Sequence, residues 1–424
     1  MKKKSFLALF LVAAMLFCAC GGKQADNVST ESVASEDEAS QMQENTDKKV
    51  ELTVWGAEED QALLAQIVDS FKQEYAKEAE FEITIAVESE SSCKDTLLGD
   101  IANGADVFAF ADDQLMSMVA AGVLAPVPNA DEIKARNVEG AVAASTVNET
   151  LYAYPMTADN GYFMYYNKAY FTEEDIKTLD GMLAVAAANG KKIAMDWTSG
   201  WYLYSFFGAT GLTVGLNEDG ISNYCTWNAT DGAIKGVDVA NAMLSISANP
   251  AFGSMGDTDF VAGARDDSVI AGVGGVWLAT EIEKIWGANY GAVKLPTYTC
   301  AGQQVQMASF TGYKMVGANA YSEHVDWALK LADWITNEDN QMLRYAQRGL
   351  GPSNIKASET PEIASSPAIG ALLEQAEFGS LQRIGGKYWD PVSAFGVEMI
   401  NGNPSGRSLQ EMLDQMVEEM TAAI

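Results

Sequence analysis

Val50-Glu51-Leu52-Thr53-Val54-Trp55 alternates apolar and polar side chains, residues 60–79 carry Leu63, Leu64, Ile67, Val68, Phe71 and Tyr75 at helical spacing, and Phe81-Glu82-Ile83-Thr84-Ile85-Ala86 alternates again. A period of two, then 3.6, then two predicts a strand, an amphipathic helix and a second strand. Strands joined through a helix point to a parallel pair, because a tight hairpin turn joins only antiparallel ones. The rhythm continues downstream. Helical spacing predicts helices over 93–102, 114–121, 175–188, 233–247, 325–335 and 409–420. Strand patterns fall at 107–110, 162–166, 192–195, 268–273 and 312–316. The class is α/β, with no internal repeat and no free linker in the body.

Upstream of residue 49 the pattern is different. Lys2, Lys3 and Lys4 precede an apolar run over 6–17, which is shorter than the roughly 20 residues a membrane-spanning helix needs and has the layout of an export signal. In Leu16-Phe17-Cys18-Ala19-Cys20-Gly21-Gly22, the second cysteine follows the small Ala19, an arrangement that resembles the lipobox of bacterial lipoproteins. Residues 1–19 are therefore expected to be a lipoprotein signal peptide and Cys20 the lipidated residue. Residues 20–48, polar and acidic with almost no large apolar side chains, cannot bury enough surface to offset their ordering entropy. They read as a flexible tether. The expected location is the extracellular face of the cell membrane, or its periplasm-facing side where an outer membrane exists.

Composition removes several function classes. The 424 residues include 58 Asp and Glu against 27 Lys and Arg, a formal net charge of -31, so nucleic acid and anionic headgroups are poor partners. The single histidine, His324, leaves little room for histidine-based triads or zinc centres. Cys93, Cys225 and Cys300 are widely and irregularly spaced, which gives neither a disulfide framework nor a metal motif; buried thiols are expected. Gly272-Val273-Gly274-Gly275-Val276-Trp277 lacks the third glycine of a dinucleotide fingerprint, and Gly190-Lys191-Lys192 lacks the upstream glycine of a phosphate loop. No cofactor and no metal are expected. With so many acids, neighbouring carboxylates are inevitable, and a glycosidase pair cannot be nominated by sequence.

Aromatic and acidic residues gather at the ends of the expected strands, where open α/β sheets present ligands. Phe110-Ala111-Asp112-Asp113 ends one strand, Tyr154 to Asp159 precedes another, Trp197 to Tyr204 follows a third, and Gly275-Val276-Trp277 ends a fourth. Aromatic faces against sugar C–H faces, with carboxylates accepting from hydroxyls, suit a carbohydrate. Trp55, Trp286, Trp327 and Trp334 lie in apolar helical or strand contexts and read as core. Trp201 and Trp277, beside glycine, read as ring faces in loops.

These segments carry a resemblance. Leu52-Thr53-Val54-Trp55, Gly104-Ala105-Asp106-Val107-Phe108, Leu151-Tyr152-Ala153-Tyr154-Pro155, Tyr166-Asn167-Lys168, Gly274-Gly275-Val276-Trp277, Gly349-Leu350-Gly351-Pro352 and Ser405-Gly406-Arg407 fall in an order that resembles the family 1 extracellular solute-binding proteins of bacterial ABC transporters, above all maltose/maltodextrin-binding proteins. The resemblance implies a two-lobed, periplasmic-binding-protein-like fold with a hinge and a central cleft. One lobe would comprise 50–157 and 316–360, the other 162–310 and 366–424. It implies sugar contacts at Glu59, Asp113 and Asp159, and aromatic subsites at Phe110, Trp201, Tyr204 and Trp277, with Trp389 or Phe395 as the last. Asp60 stands where these relatives carry lysine, and Gln114 where they carry arginine. The implied partners are maltose, maltotriose or a longer oligosaccharide and a permease served by a separate ATPase, with the protein a monomer that does no chemistry. The competing readings are a protein for another oligosaccharide, a surface-anchored glycoside hydrolase, and an adhesion lipoprotein.

Overall fold

The computed structural model describes residues 49–422 apart from residue 218. The readings of 1–19, of Cys20 and of all but the last residue of the region up to 49 concern residues outside that range. No helix among the described residues is long and apolar enough to cross a membrane.

Ten strands make the main sheet: β1 (Lys49–Gly56), β2 (Glu80–Val87), β3 (Val107–Ala111), β4 (Tyr154–Asn167), β5 (Lys192–Ala194), β6 (Phe252–Gly253), β7 (Val269–Gly275), β8 (Tyr290–Val293), β9 (Ser309–Ala318) and β10 (Gly379–Leu381). The opening unit is as its periodicity predicts. The helix Gln61–Glu74 buries Leu63, Leu64, Ile67, Val68 and Phe71, and β1 runs parallel to β2 with Val50 opposite Phe81. The helix is shorter than the spacing predicts, because the chain turns through Tyr75 to reach β2.

β4 and β9 are what join the molecule's halves. The first part of β4 pairs with β9 and its second part with β7 and β8. β9 in turn pairs with β3 toward its end and with β10 at its start. Sequence periodicity finds only the second part of β4, since Pro155 and Gly161 argue against a central strand. Pro155 is accommodated where the β4–β9 register shifts. A third crossing lies at Gly349 to Pro352, where Gly351 O accepts from Ala158 N–H and Pro352 bridges Thr157.

Away from its edge strands, such as β2 with no fully buried residue, each half of the sheet is covered on both faces, as strands of mostly parallel sheets are. On β1 to β3 the cores gather Val54, Phe71, Val316 and Leu331 on one side and Leu97, Phe108, Phe110 and Met315 on the other. Around β5 and β7 the cores gather Trp197, Phe207, Trp227 and Met399, and Phe163, Phe260, Ile282 and Trp286. The chain thus builds two α/β lobes on one continuous sheet. At the crossing from Gly349 to Pro352, Leu350 packs with Ala368 and Leu372. Trp286 is core, and Trp327 and Trp334 edge against Phe71. Cys93 and Cys300 are buried free thiols, and Cys225 is half-buried.

Candidate functional site

A cavity of about 750 Å³ opens between the two lobes, within the usual range of small-ligand sites, about 300–1,000 Å³. Its walls are the turns that leave the strand ends. After β1 the turn Glu58–Asp60 brings Glu59 and Asp60, and after β3 the turn Asp112–Gln114 brings Asp113. After β5 the helix Gly200–Phe207 brings Trp201 and Tyr202, and after β7 the turn Val276–Leu278 brings Trp277. Trp389 enters on the first turn of the helix Trp389–Ile400.

The second lobe contributes an aromatic wall. The indoles of Trp201 and Trp277 stack with centroids 5.6 Å apart and planes 30° from parallel. Trp277 lies flat over Gly275, where a Cβ would come within 2.0 Å of its ring; only glycine leaves that space. Trp277 Nε1 donates to Asp257 Oδ2 at 2.7 Å, which fixes the ring's rotation. Trp201 Nε1 is buried and has no partner among the described residues.

The first lobe contributes charge. Asp113 Oδ1 is likewise buried and without a partner among the described residues. Burial pushes the Asp113 carboxyl up to about 6, so it is largely ionised at neutral pH and offers an acceptor. Asp60 is buried and bound by two guanidiniums: Arg344 donates to its Oδ2, and Arg348 Nε to Oδ1 at 2.9 Å. Lys314 stands 3.7 Å from Glu90 and 5.6 Å from the centre of the Trp277 ring, a bridge from one lobe's acid to the other's aromatic.

The cavity gathers Glu59, Asp113, Trp201, Trp277 and Trp389, but not three other residues the family resemblance implies. Phe110 is fully buried in the core under β3, against Phe108, because both faces of that strand are covered. Tyr204 is also core. It stacks on Phe310 at 4.0 Å and donates its hydroxyl to Ser380 Oγ at 2.7 Å. Tyr202, on the same helix, lines the cavity in its place. Asp159 turns away to accept from Gly351 N–H at the third crossing, and burial pushes it up to about 6; the adjacent Asn160 faces the cavity instead. Phe395 is core, so Trp389 is the aromatic at the C-terminal end of the cleft. Trp201 sits in a helix's first turn and Trp277 in a 3-10 turn, rather than in loops.

Sequence reasoning misses the cavity's cations, Lys314 and Arg348, and the acids Glu90 and Asp257. Arg348 directly precedes Gly349-Leu350-Gly351-Pro352, and that neighbourhood is the signal that marks it. Lys314, inside an apolar strand, carries none. No group of three or more His, Cys, Asp or Glu among the described residues is placed to hold a metal ion.

Residues 66–371 match the family described as bacterial extracellular solute-binding protein. The chain is 25% identical over 394 residues to a galactooligosaccharide-binding protein of Bacillus subtilis (strain 168), covering 89% of this chain and 86% of that protein. It is 24% identical over 429 residues to a maltooligosaccharide ABC transporter solute-binding lipoprotein of Streptococcus pneumoniae (strain ATCC BAA-255 / R6), covering 96% and 94%. The solved maltodextrin binding protein MalE1 from L. casei BL23, without ligand, superposes with a TM-score of 0.73 at 25% identity, over 89% of this chain and all of that one.

Proposed function

We propose that this chain, which belongs to the bacterial extracellular solute-binding protein family, is the substrate-binding component of an ABC sugar importer that captures malto-oligosaccharides. The observation that carries the reading is the stacked Trp201–Trp277 wall facing the first lobe's carboxylates across one cavity. Ring faces hold sugar C–H faces, while Asp113, Asp257 and Glu59 accept from hydroxyls. The protein's part is binding without chemistry; a permease served by a separate ATPase takes the sugar onward.

The lobes we assign are 50–157 with 316–360 and 162–310 with 366–424, turning about β4, β9 and the Gly349 to Pro352 crossing. Sugar docks on the aromatic wall and the acidic lobe closes over it. The decisive experiment pairs calorimetric titration with small-angle scattering. Maltotriose is expected to bind saturably, and the saturated protein to have a smaller radius of gyration than the sugar-free one. An unchanged radius at proven saturation overturns the closure; no saturable binding overturns the ligand.

A second reading has its own support, since one curated relative at 25% identity is a galactooligosaccharide-binding protein. Titration of a galactotriose beside maltotriose decides between them by relative affinity, because the hydroxyl contacts, more than the stacking, specify the sugar.

The location we propose is the outer face of the cell membrane, held by lipid on Cys20, in keeping with the lipoprotein name of the pneumococcal relative. Cys20→Ala is expected to release the protein into the medium or leave it uncleaved, and Cys18→Ala to do neither. Equal membrane retention of both variants refutes this.

A further inference from the structure

Past Trp389 lies a second chamber of about 570 Å³. Asp113, Gln114 and Trp389 line both chambers, so the two adjoin across those side chains. The hairpin of Val214–Leu216 and Asn223–Cys225 forms a wall of the second one.

Nothing in the fold requires apolar side chains to face water there, yet they do. Nine large apolar side chains are exposed among the described residues, and four of them, Met116, Ile221, Tyr224 and Leu381, line this chamber. Exposed apolar surface is unremarkable when scattered; gathered around one concavity it marks a binding surface. Tyr224 is 46% exposed and pairs across the hairpin with Gly215. A Cβ on that glycine would lie 2.7 Å from the phenol oxygen and 3.0 Å or less from the nearest ring carbons, so glycine lets the ring lie flat on the hairpin. The chamber also holds unused polar groups. Asp112 is 3% exposed and its Oδ2 has no partner among the described residues. The Arg383 guanidinium makes no hydrogen bond or ion pair with them.

Building on the oligosaccharide reading above, we infer that the second chamber takes further sugar units of the same ligand, with Tyr224 as a stacking face and Asp112 and Arg383 as acceptor and donor for hydroxyls. The shared walls favour one ligand over two. A chain held by Asp113 and Trp389 in the first chamber already touches the walls of the second. The occupant is therefore an oligosaccharide longer than the first chamber contains, and the hairpin sets the length preference.

The test titrates maltotriose and maltoheptaose into wild type, Tyr224→Ala and Arg383→Met by calorimetry, with sugar-free melting as the folding control. Wild type is expected to bind maltoheptaose about tenfold more tightly than maltotriose, on the scale of one good contact. Tyr224→Ala is expected to erase that advantage and to leave maltotriose within about twofold, a difference of under 0.5 kcal/mol. Maltotriose binding with no advantage for the longer sugar, or an advantage that survives both substitutions, overturns the second chamber alone. Failure of wild type to bind either sugar overturns the malto-oligosaccharide reading and this inference with it.

Discussion

Trp277→Ala is expected to weaken maltotriose binding by at least ~2 kcal/mol, about thirtyfold, the scale of an aromatic hot spot, while the sugar-free melting temperature changes little. The structure explains why the effects separate. Trp277 is half-buried, resting on the backbone of Gly275, with one edge tied to Asp257 and its neighbour Trp201 beside it. Truncation removes a ring that lines the cavity and widens the cavity; it does not open a void inside a packed core. A core indole behaves otherwise, since truncating a large buried aromatic costs about 3–5 kcal/mol of folding stability. Calorimetric titration of the variant, run beside its sugar-free thermal unfolding, distinguishes the two. Normal binding removes Trp277 from the site, and a broadly destabilised variant returns it to the core.

The sequence candidates that reach the cavity share a position: they leave the end of a strand on a turn. Glu59, Asp113 and Trp277 stand on such turns and Trp201 on a helix start, and the fold has to point them toward the cleft between its lobes. The candidates that lie away from the cavity stand inside elements that are mostly buried. In β3 four of five residues are buried, so alternation no longer says which face Phe110 occupies. The helix Gly200–Phe207 is buried nearly all round, and helical spacing cannot separate Tyr202, on the cavity, from Tyr204, in the core. Asp159 and Asn160 are neighbours on β4 where its register with β9 shifts, and of the two only Asn160 lines the cavity. The cations were the least legible. Arg348 reaches Asp60 across 288 residues of sequence, and only tertiary structure makes them neighbours.

That contact leads to the largest expected loss of stability. Asp60 ties the start of the first-lobe helix Gln61–Glu74 to the helix Glu338–Arg348 through Arg344 and Arg348. Arg348 also lines the cavity, so the acid holds a cation at the cleft from a different part of the chain. Burial alone would raise the Asp60 carboxyl, but the two guanidiniums outweigh it and hold the carboxyl below its ordinary value. Asp60→Ala leaves Arg344, 1% exposed, as a buried charge without its partner, and is expected to cost about 3–5 kcal/mol of folding free energy at neutral pH. The sign with pH follows from the lowered value. The stability Asp60 contributes is present above the unfolded-state value of about 3.9 and is lost as pH falls through the folded one. The gap between wild type and Asp60→Ala in denaturant unfolding should therefore be widest near pH 7 and narrow below about pH 4. Replacing both partners, as Asp60→Leu with Arg344→Met, should recover part of the loss, because an apolar pair of similar volume avoids burying either charge. A single variant that unfolds like wild type at pH 7 would mean that Asp60 is a cleft residue and no clamp between the two helices.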